Sequence, residues 1–275
     1  MLTQLSFSVW TGRTQDNRVS KEVTVSKNAE RDGGIWWTAL IPKRSLRNIN
    51  TAYNKCKATH NRLTLPWRDG GDRILPTAMF LEYSKAMREV KTEFDEAVNE
   101  FLEGYPDIVK NARKRLGKLL DNKRLPTAAE VKRKFGVHQE IYPLPDIADF
   151  RVNLSKEDVA EIRKQMKTSI DDTIEKAMTG IWQQLAELIG KIEKTLKEPK
   201  KVFRDSLISN LKEFCELIPK LNLTDDSKLE DFRKEAVKEL VNLRPDNLRE
   251  IKPERAVGAK TARDMLKKMK DYTNI

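Results

Sequence analysis

The chain has 275 residues, 39% hydrophobic and 35% charged, which is enough apolar content for one large or two ordinary cores and too much for wholesale disorder. No run approaches the roughly 20 apolar residues of a membrane-spanning helix, and the first residues lack a secretory leader pattern. Two isolated cysteines, Cys56 and Cys215, make no disulfide framework, so a reduced cytoplasmic setting is expected, and the net charge of +11 points to a polyanionic partner.

Leu2, Leu5, Phe7 and Val9, with Ser6 and Ser8 between the last three, predict a strand over residues 2–11, ended by Thr11-Gly12. Val19–Lys27 offers a second extended segment. Arg31-Asp32-Gly33-Gly34 reads as a turn before the apolar run Ile35–Ile41. Behind Pro42 a helix is expected from about Arg44 to Asn61, and Arg68-Asp69-Gly70-Gly71 then marks a hairpin. From Phe80 to Tyr105 apolar residues recur at steps of three and four, an amphipathic helix. Gly104 and Pro106 interrupt it, and a second helix runs from Ile108 to Leu120, stopped by Asp121-Asn122.

Thr127 and Glu130 have capping-box spacing, in which hydroxyl and carboxylate each satisfy a free amide at a helix start. That helix is short and ends at Gly136, before the extended Tyr142-Pro143-Leu144-Pro145. Ser155 caps the longest element, whose apolar stripe runs from Val159 to Leu196 over about 60 Å. Gly180 and Gly190 weaken its interior, and Pro199 stops it. Apolar faces through Val202–Ile218 and Leu229–Leu240 predict two further helices, the second opened by a Ser227/Glu230 capping box. A last basic helix falls around Thr261–Lys270. The fold class is therefore α+β, predominantly α. Residues 1–76 form a small mixed basic region and residues 77–154 a helical region with a basic stretch and an extended segment. Residues 155–275 form an antiparallel bundle or coiled-coil arm.

Catalytic chemistry has little to stand on. His60 and His138 are the only histidines, and neither has a partner at metal-ligand spacing. Phosphate loops, CxxC pairs and GxSxG turns are absent. Glu93, Asp95, Glu96 and Glu100 share one helix, and Asp146 and Asp149 flank the extended segment. A nuclease would need such carboxylates clustered on divalent ions, but on a highly charged helix they read as a solvated face. No catalytic residue, metal site or cofactor is assigned.

Binding surfaces are better supported. Residues 1–76 carry 13 Lys/Arg against 6 Asp/Glu, and residues 110–134 carry 10 against Asp121 and Glu130 alone. Lys110, Arg113, Lys114, Arg115, Lys118, Lys123, Arg124, Lys132, Arg133 and Lys134 are candidate phosphate contacts, because neutralising phosphates releases counterions and yields sequence-independent affinity. Solvated lysine-rich helix faces are the competing explanation. Trp10, Trp36, Trp37 and Trp67 lie in the basic front region, where aromatics among cations can stack on unpaired bases. Trp10 and one of Trp36 and Trp37 sit in apolar strand patterns and are expected in the core. Trp67, between Pro66 and Arg68 at the hairpin, is the expected exposed stacker, with Arg68 beside it.

Several of these stretches together resemble an uncharacterised bacterial and phage family known as domain of unknown function 3150. They are Val9-Trp10-Thr11-Gly12-Arg13, Arg73-Ile74-Leu75-Pro76 after the Gly-Gly hairpin, and Phe101-Leu102-Glu103-Gly104-Tyr105. Above all they include Leu125–Val152, with Phe135, Tyr142-Pro143-Leu144-Pro145 and Asp149-Phe150-Arg151-Val152. The resemblance covers roughly the first 150 residues. It implies a phage or mobile-element origin and genomic company with MoxR-type AAA+ ATPases and von Willebrand-type metal-binding proteins. It brings no activity and no catalytic residue. The leading expectation is a non-enzymatic nucleic-acid-binding protein, with DNA the expected polymer, self-associating through its long helices. The alternative is an adaptor of an AAA+ ATPase or a modulator of a host factor.

Overall fold

The computed structural model describes residues 1–30, 32–67, 71–120, 125–144, 155–198 and 204–273. Among the described residues helix accounts for 71% and strand for about 10%, so the protein is α+β and predominantly α. In chain order the elements are β1 (Leu2–Ser8), β2 (Arg13–Gln15), α1 (Asn17–Ser26), β3 (Trp37–Ala39), α2 (Arg47–Arg62), β4 (Leu65–Pro66) and β5 (Asp72–Ile74). They continue with α3 (Phe80–Glu103), α4 (Tyr105–Leu116), α5 (Ala128–Lys132), β6 (Gly136–Tyr142) and α6 (Lys156–Lys197). The last four are α7 (Ser206–Leu221), α8 (Ser227–Ala236), α9 (Pro245–Glu250) and α10 (Lys252–Thr273). Among the described residues no helix is long and apolar enough to cross a membrane.

The chain divides into two compact units that interleave along the sequence. One comprises Gln4–Arg62 and Leu81–Glu140, the other Met1–Thr3, Leu63–Phe80 and Ile141–Ile275. In the first, β1 has β6 as its neighbour, and β2 pairs antiparallel with β3 in a separate ribbon. Two antiparallel helices form its core. As α2 advances from Asn48 through Lys55 and Cys56 to His60, its partners on α3 retreat from Glu100 through Glu93 and Val90 to Tyr83. The 3.6-residue stripe of α3 buries Tyr83, Met87, Val90, Phe94, Val98 and Phe101. His60 and Tyr83 share a buried hydrogen bond of 2.8 Å, a satisfied core pair.

Residues 19–26 are helical, not extended, and Lys27 is the C-cap. The β-branched Val19, Thr24 and Val25 favour a strand locally, but Asp16 overrides them. Its carboxylate accepts from the Val19 amide at 3.2 Å, an N-cap that starts α1. Gly12, at φ +66°, makes the turn between β1 and β2. A Cβ there would lie 2.5 Å from Ile41 Cγ1, so only glycine fits.

In the second unit, β4 and β5 form the expected hairpin, Leu65 opposite Ile74 and Pro66 opposite Arg73. The Leu75 amide donates to the Met1 carbonyl at 2.9 Å. The rest is a helical bundle built on α6 and α10. As α10 advances from Arg255 to Arg263 and Tyr272, its partners on α6 retreat from Leu196 to Glu193 and Trp182. Buried side chains on α6 begin only at Ala177, whereas Val159, Ile162, Met166, Ile170 and Ile174 stay half-buried. Trp182 stacks on Tyr272 at 4.7 Å and meets Phe232 edge-on at 5.2 Å.

Helix α8 is capped one residue before the expected position. Asp226, not Ser227, accepts from the Lys228 and Leu229 amides, because its carboxylate is also tethered by the Trp182 indole at 3.1 Å. The Thr127/Glu130 capping box and the Ser155 cap stand as expected. The Asp121-Asn122 stop, Pro145, Asp149–Val152 and Pro199 lie outside the described residues.

Candidate nucleic-acid interface

The basic stretch divides between two helices of the first unit. Helix α4 buries Tyr105, Ala112 and Leu116 on one side. Lys110, Arg113, Lys114 and Arg115 are left exposed, and so is Lys118 in the 3-10 turn Gly117–Leu120 that follows. Cations in the last turn also complement the negative end of the helix dipole, so local stability and display of charge favour the same residues. No described acidic side chain pairs with Lys110, Arg113, Lys114 or Lys118. Arg115 has a second role: its guanidinium donates to the Ala39 carbonyl at 2.6 Å, tying α4 to the end of β3. Arg18, on α1, donates to the Lys118 carbonyl at 3.1 Å.

Lys132, Arg133 and Lys134 are likewise exposed, at the end of α5. That helix is fixed by fully buried Val131 and by the Tyr105 hydroxyl, which donates to the Pro126 carbonyl at 2.8 Å. Phe135 closes the edge against Phe101 at 5.9 Å. Burial, and then the neighbouring Glu130 carboxylate, raise the Tyr105 phenol above its ordinary value, so it stays a neutral donor. Tyr105 sits at the start of α4 and Ala39 is bonded near its end. The segment leading into α5 and the end of β3 are therefore tied to opposite ends of a helix of about 18 Å. Lys123 and Arg124 lie outside the described residues.

The tryptophans are distributed differently from the sequence expectation. Trp10 is buried and packs edge-on against Tyr105 at 6.2 Å. Trp67, the expected exposed ring, belongs to the second unit and is only 6% exposed. Strand alternation is the reason: Leu65 and Trp67 point to one face and Pro66 to the other, and the Trp67 amide continues the ladder to the Asp72 carbonyl at 3.2 Å. Arg68 lies outside the described residues. Neither Trp36 nor Trp37 enters the core; they are 45% and 53% exposed. Thr38 takes the inward position and donates to Asp16 at 3.1 Å, which turns Trp37 outward.

Asp16 is the residue that sequence reasoning missed. It is 3% exposed and joins α1 to β3, with one carboxylate oxygen on the Val19 amide and the other on the Thr38 hydroxyl. Asp followed by Asn-Arg-Val has the form of an N-cap, which was the available signal.

Two of the carboxylates considered for a nuclease serve other ends. Glu93 pairs with Lys55 at 2.6 Å and Glu100 accepts from Asn48 at 3.0 Å, both linking α2 to α3. Asp146 and Asp149 lie outside the described residues. Among the described residues no group of three or more His, Cys, Asp or Glu side chains is placed to hold a metal ion. Comparison with protein-family models, curated proteins and solved structures finds no match, so the family resemblance rests on the residues quoted for it.

Proposed function

We propose that this protein binds nucleic acid through the cationic side of α4 and its flanks. The observation that supports this reading is the exposure of Lys110, Arg113 and Lys114 on α4 and of Lys118 in the turn that follows it, without described acidic partners. Such a group has the sign that a phosphate backbone attracts and requires no base contact, so affinity is expected to be salt-dependent and tolerant of sequence. The test is fluorescence anisotropy with labelled single- and double-stranded DNA across a salt series. Replacing all four residues with alanine should weaken binding and flatten the salt dependence by roughly one counterion per lost contact, with little change in melting temperature. Absence of binding to either DNA at low salt would end the proposal.

A second reading, self-association, is favoured by α6. Its half-buried stripe from Val159 to Ile174 falls on one helix face, where a second copy would complete its burial. Light scattering on the full chain, with Ile162→Glu and Ile170→Glu as the disrupting pair, tests it. A monomer at all concentrations would refute it.

A further inference from the structure

We propose that the β2–β3 ribbon is a stacking platform for single-stranded nucleic acid, with Trp36 and Trp37 as the rings that contact bases; this rests on the nucleic-acid reading above. Ile35, Trp36 and Trp37 form a consecutive exposed apolar run, at 61%, 45% and 53% exposure. An indole gains more from burial than almost any side chain, so two left half in water mark a contact surface.

Register places Trp37 beside a cation. Gln15 lies opposite Trp37 and Arg13 opposite Ala39, so Arg13 is the diagonal neighbour of Trp37 on the outer face. Arg115 reaches the same ribbon at Ala39, and Arg18 ties Lys118 to α1. Asp16 is buried, so the exposed acidic residues close in sequence are Glu22, Glu30 and Asp32, and Glu22 already pairs with Arg18 at 3.8 Å.

The platform is also held rigidly. The Asp16 amide donates to the Trp36 carbonyl at 2.9 Å, the Trp36 amide donates to Ser20 Oγ at 2.8 Å, and Thr38 is bonded to the Asp16 carboxylate. The peptide bearing both rings is fixed on each side, so little ordering remains for a ligand to drive. Rings at the surface beside guanidinium groups suit a strand whose bases are free to stack. A duplex keeps its bases stacked inside and offers this surface only its backbone.

The test is anisotropy with an oligothymidine of about 20 nucleotides, longer than the ~4–16-nucleotide footprints of single-strand binding folds, and with a duplex of equal length. The wild-type chain should prefer the single strand. Trp36→Ala with Trp37→Ala should lower single-strand affinity by about ten-fold or more, within the range of lost stacking, and leave duplex affinity and melting temperature little changed. Trp36→Phe with Trp37→Phe, which keeps a π-face, should retain most of the affinity. Equal affinity of the wild type for single strand and duplex overturns the inference while leaving the nucleic-acid reading standing, as does unchanged single-strand binding by the alanine pair. Failure of the wild type to bind any DNA overturns both. Should the alanine pair not fold, tryptophan emission decides: oligothymidine should quench the wild type and quench the phenylalanine pair much less, and equal quenching refutes the platform.

Discussion

Asp16 accepts a hydrogen bond from the Thr38 hydroxyl at 3.1 Å, and both residues are almost fully buried. This one contact joins the start of α1 to the middle of β3 and sets which side of the ribbon faces water. Asp16→Ala removes the N-cap and leaves a buried hydroxyl short of a partner, a loss of about 2–3 kcal/mol. Urea unfolding measures it, with Asp16→Asn, which keeps an acceptor, expected to lose less.

Arg115 and Lys114 adjoin on α4 but differ in what they touch. Arg115→Ala breaks the bond to the Ala39 carbonyl and should lower stability by about 1 kcal/mol, whereas Lys114→Ala should be near neutral. Thermal melts of the two variants separate a cation that holds the ribbon from one that only displays charge.

Arg255 is the buried counterpart in the bundle. Its guanidinium donates to the carbonyls of Thr195, Leu196 and Glu198, which closes the C-terminal end of α6. Arg255→Met keeps much of the stem volume but strands those acceptors, and a loss of about 2–4 kcal/mol is expected. Hydrogen exchange should show faster opening of the last turns of α6, and unchanged exchange there would contradict this role.

Cys56 and Cys215 are fully buried, free thiols, both pushed up to about 11 from an ordinary 9.0, first by burial. Glu93 adds to the rise at Cys56; at Cys215, Arg233 partly opposes it. The raised folded-state value means that the unfolded chain loses these protons first. Stability from these groups is therefore intact below about 9 and declines as pH rises toward about 11. Denaturant midpoints should fall across that window, and less steeply in Cys56→Ser with Cys215→Ser. At neutral pH neither thiol should react with iodoacetamide until the chain is unfolded.

Thr127→Ala removes half of a capping box in which Thr127 Oγ1 accepts from the Glu130 amide and Glu130 accepts from the Thr127 amide. A loss of about 1 kcal/mol is expected, with Thr127→Ser largely restoring it. The melting temperature checks both.

The helices were legible because their signals are local. Steps of three and four from Phe80 to Tyr105 mark the buried side of α3, and Thr127 with Glu130, like Ser155, marks a start that short-range hydrogen bonds enforce. Residues 19–27 misled because β-branched side chains suit a strand, while the residue that overrides them, Asp16, lies just outside that stretch. Asp226 displaced Ser227 as a cap through the Trp182 indole, which is distant in sequence.

The sequence by itself determined the class of the protein, the location of its two longest helices and the position of its positive charge, since periodicity, caps and composition depend on neighbours along the chain. Only the tertiary structure decided which tryptophans face water. Trp67 follows Leu65 in the alternation of its hairpin and is buried, while Trp37 is turned outward because Thr38 is held inward by Asp16. Exposure of an aromatic on a strand depends on which face meets a core, and a two-residue period is the same on either face.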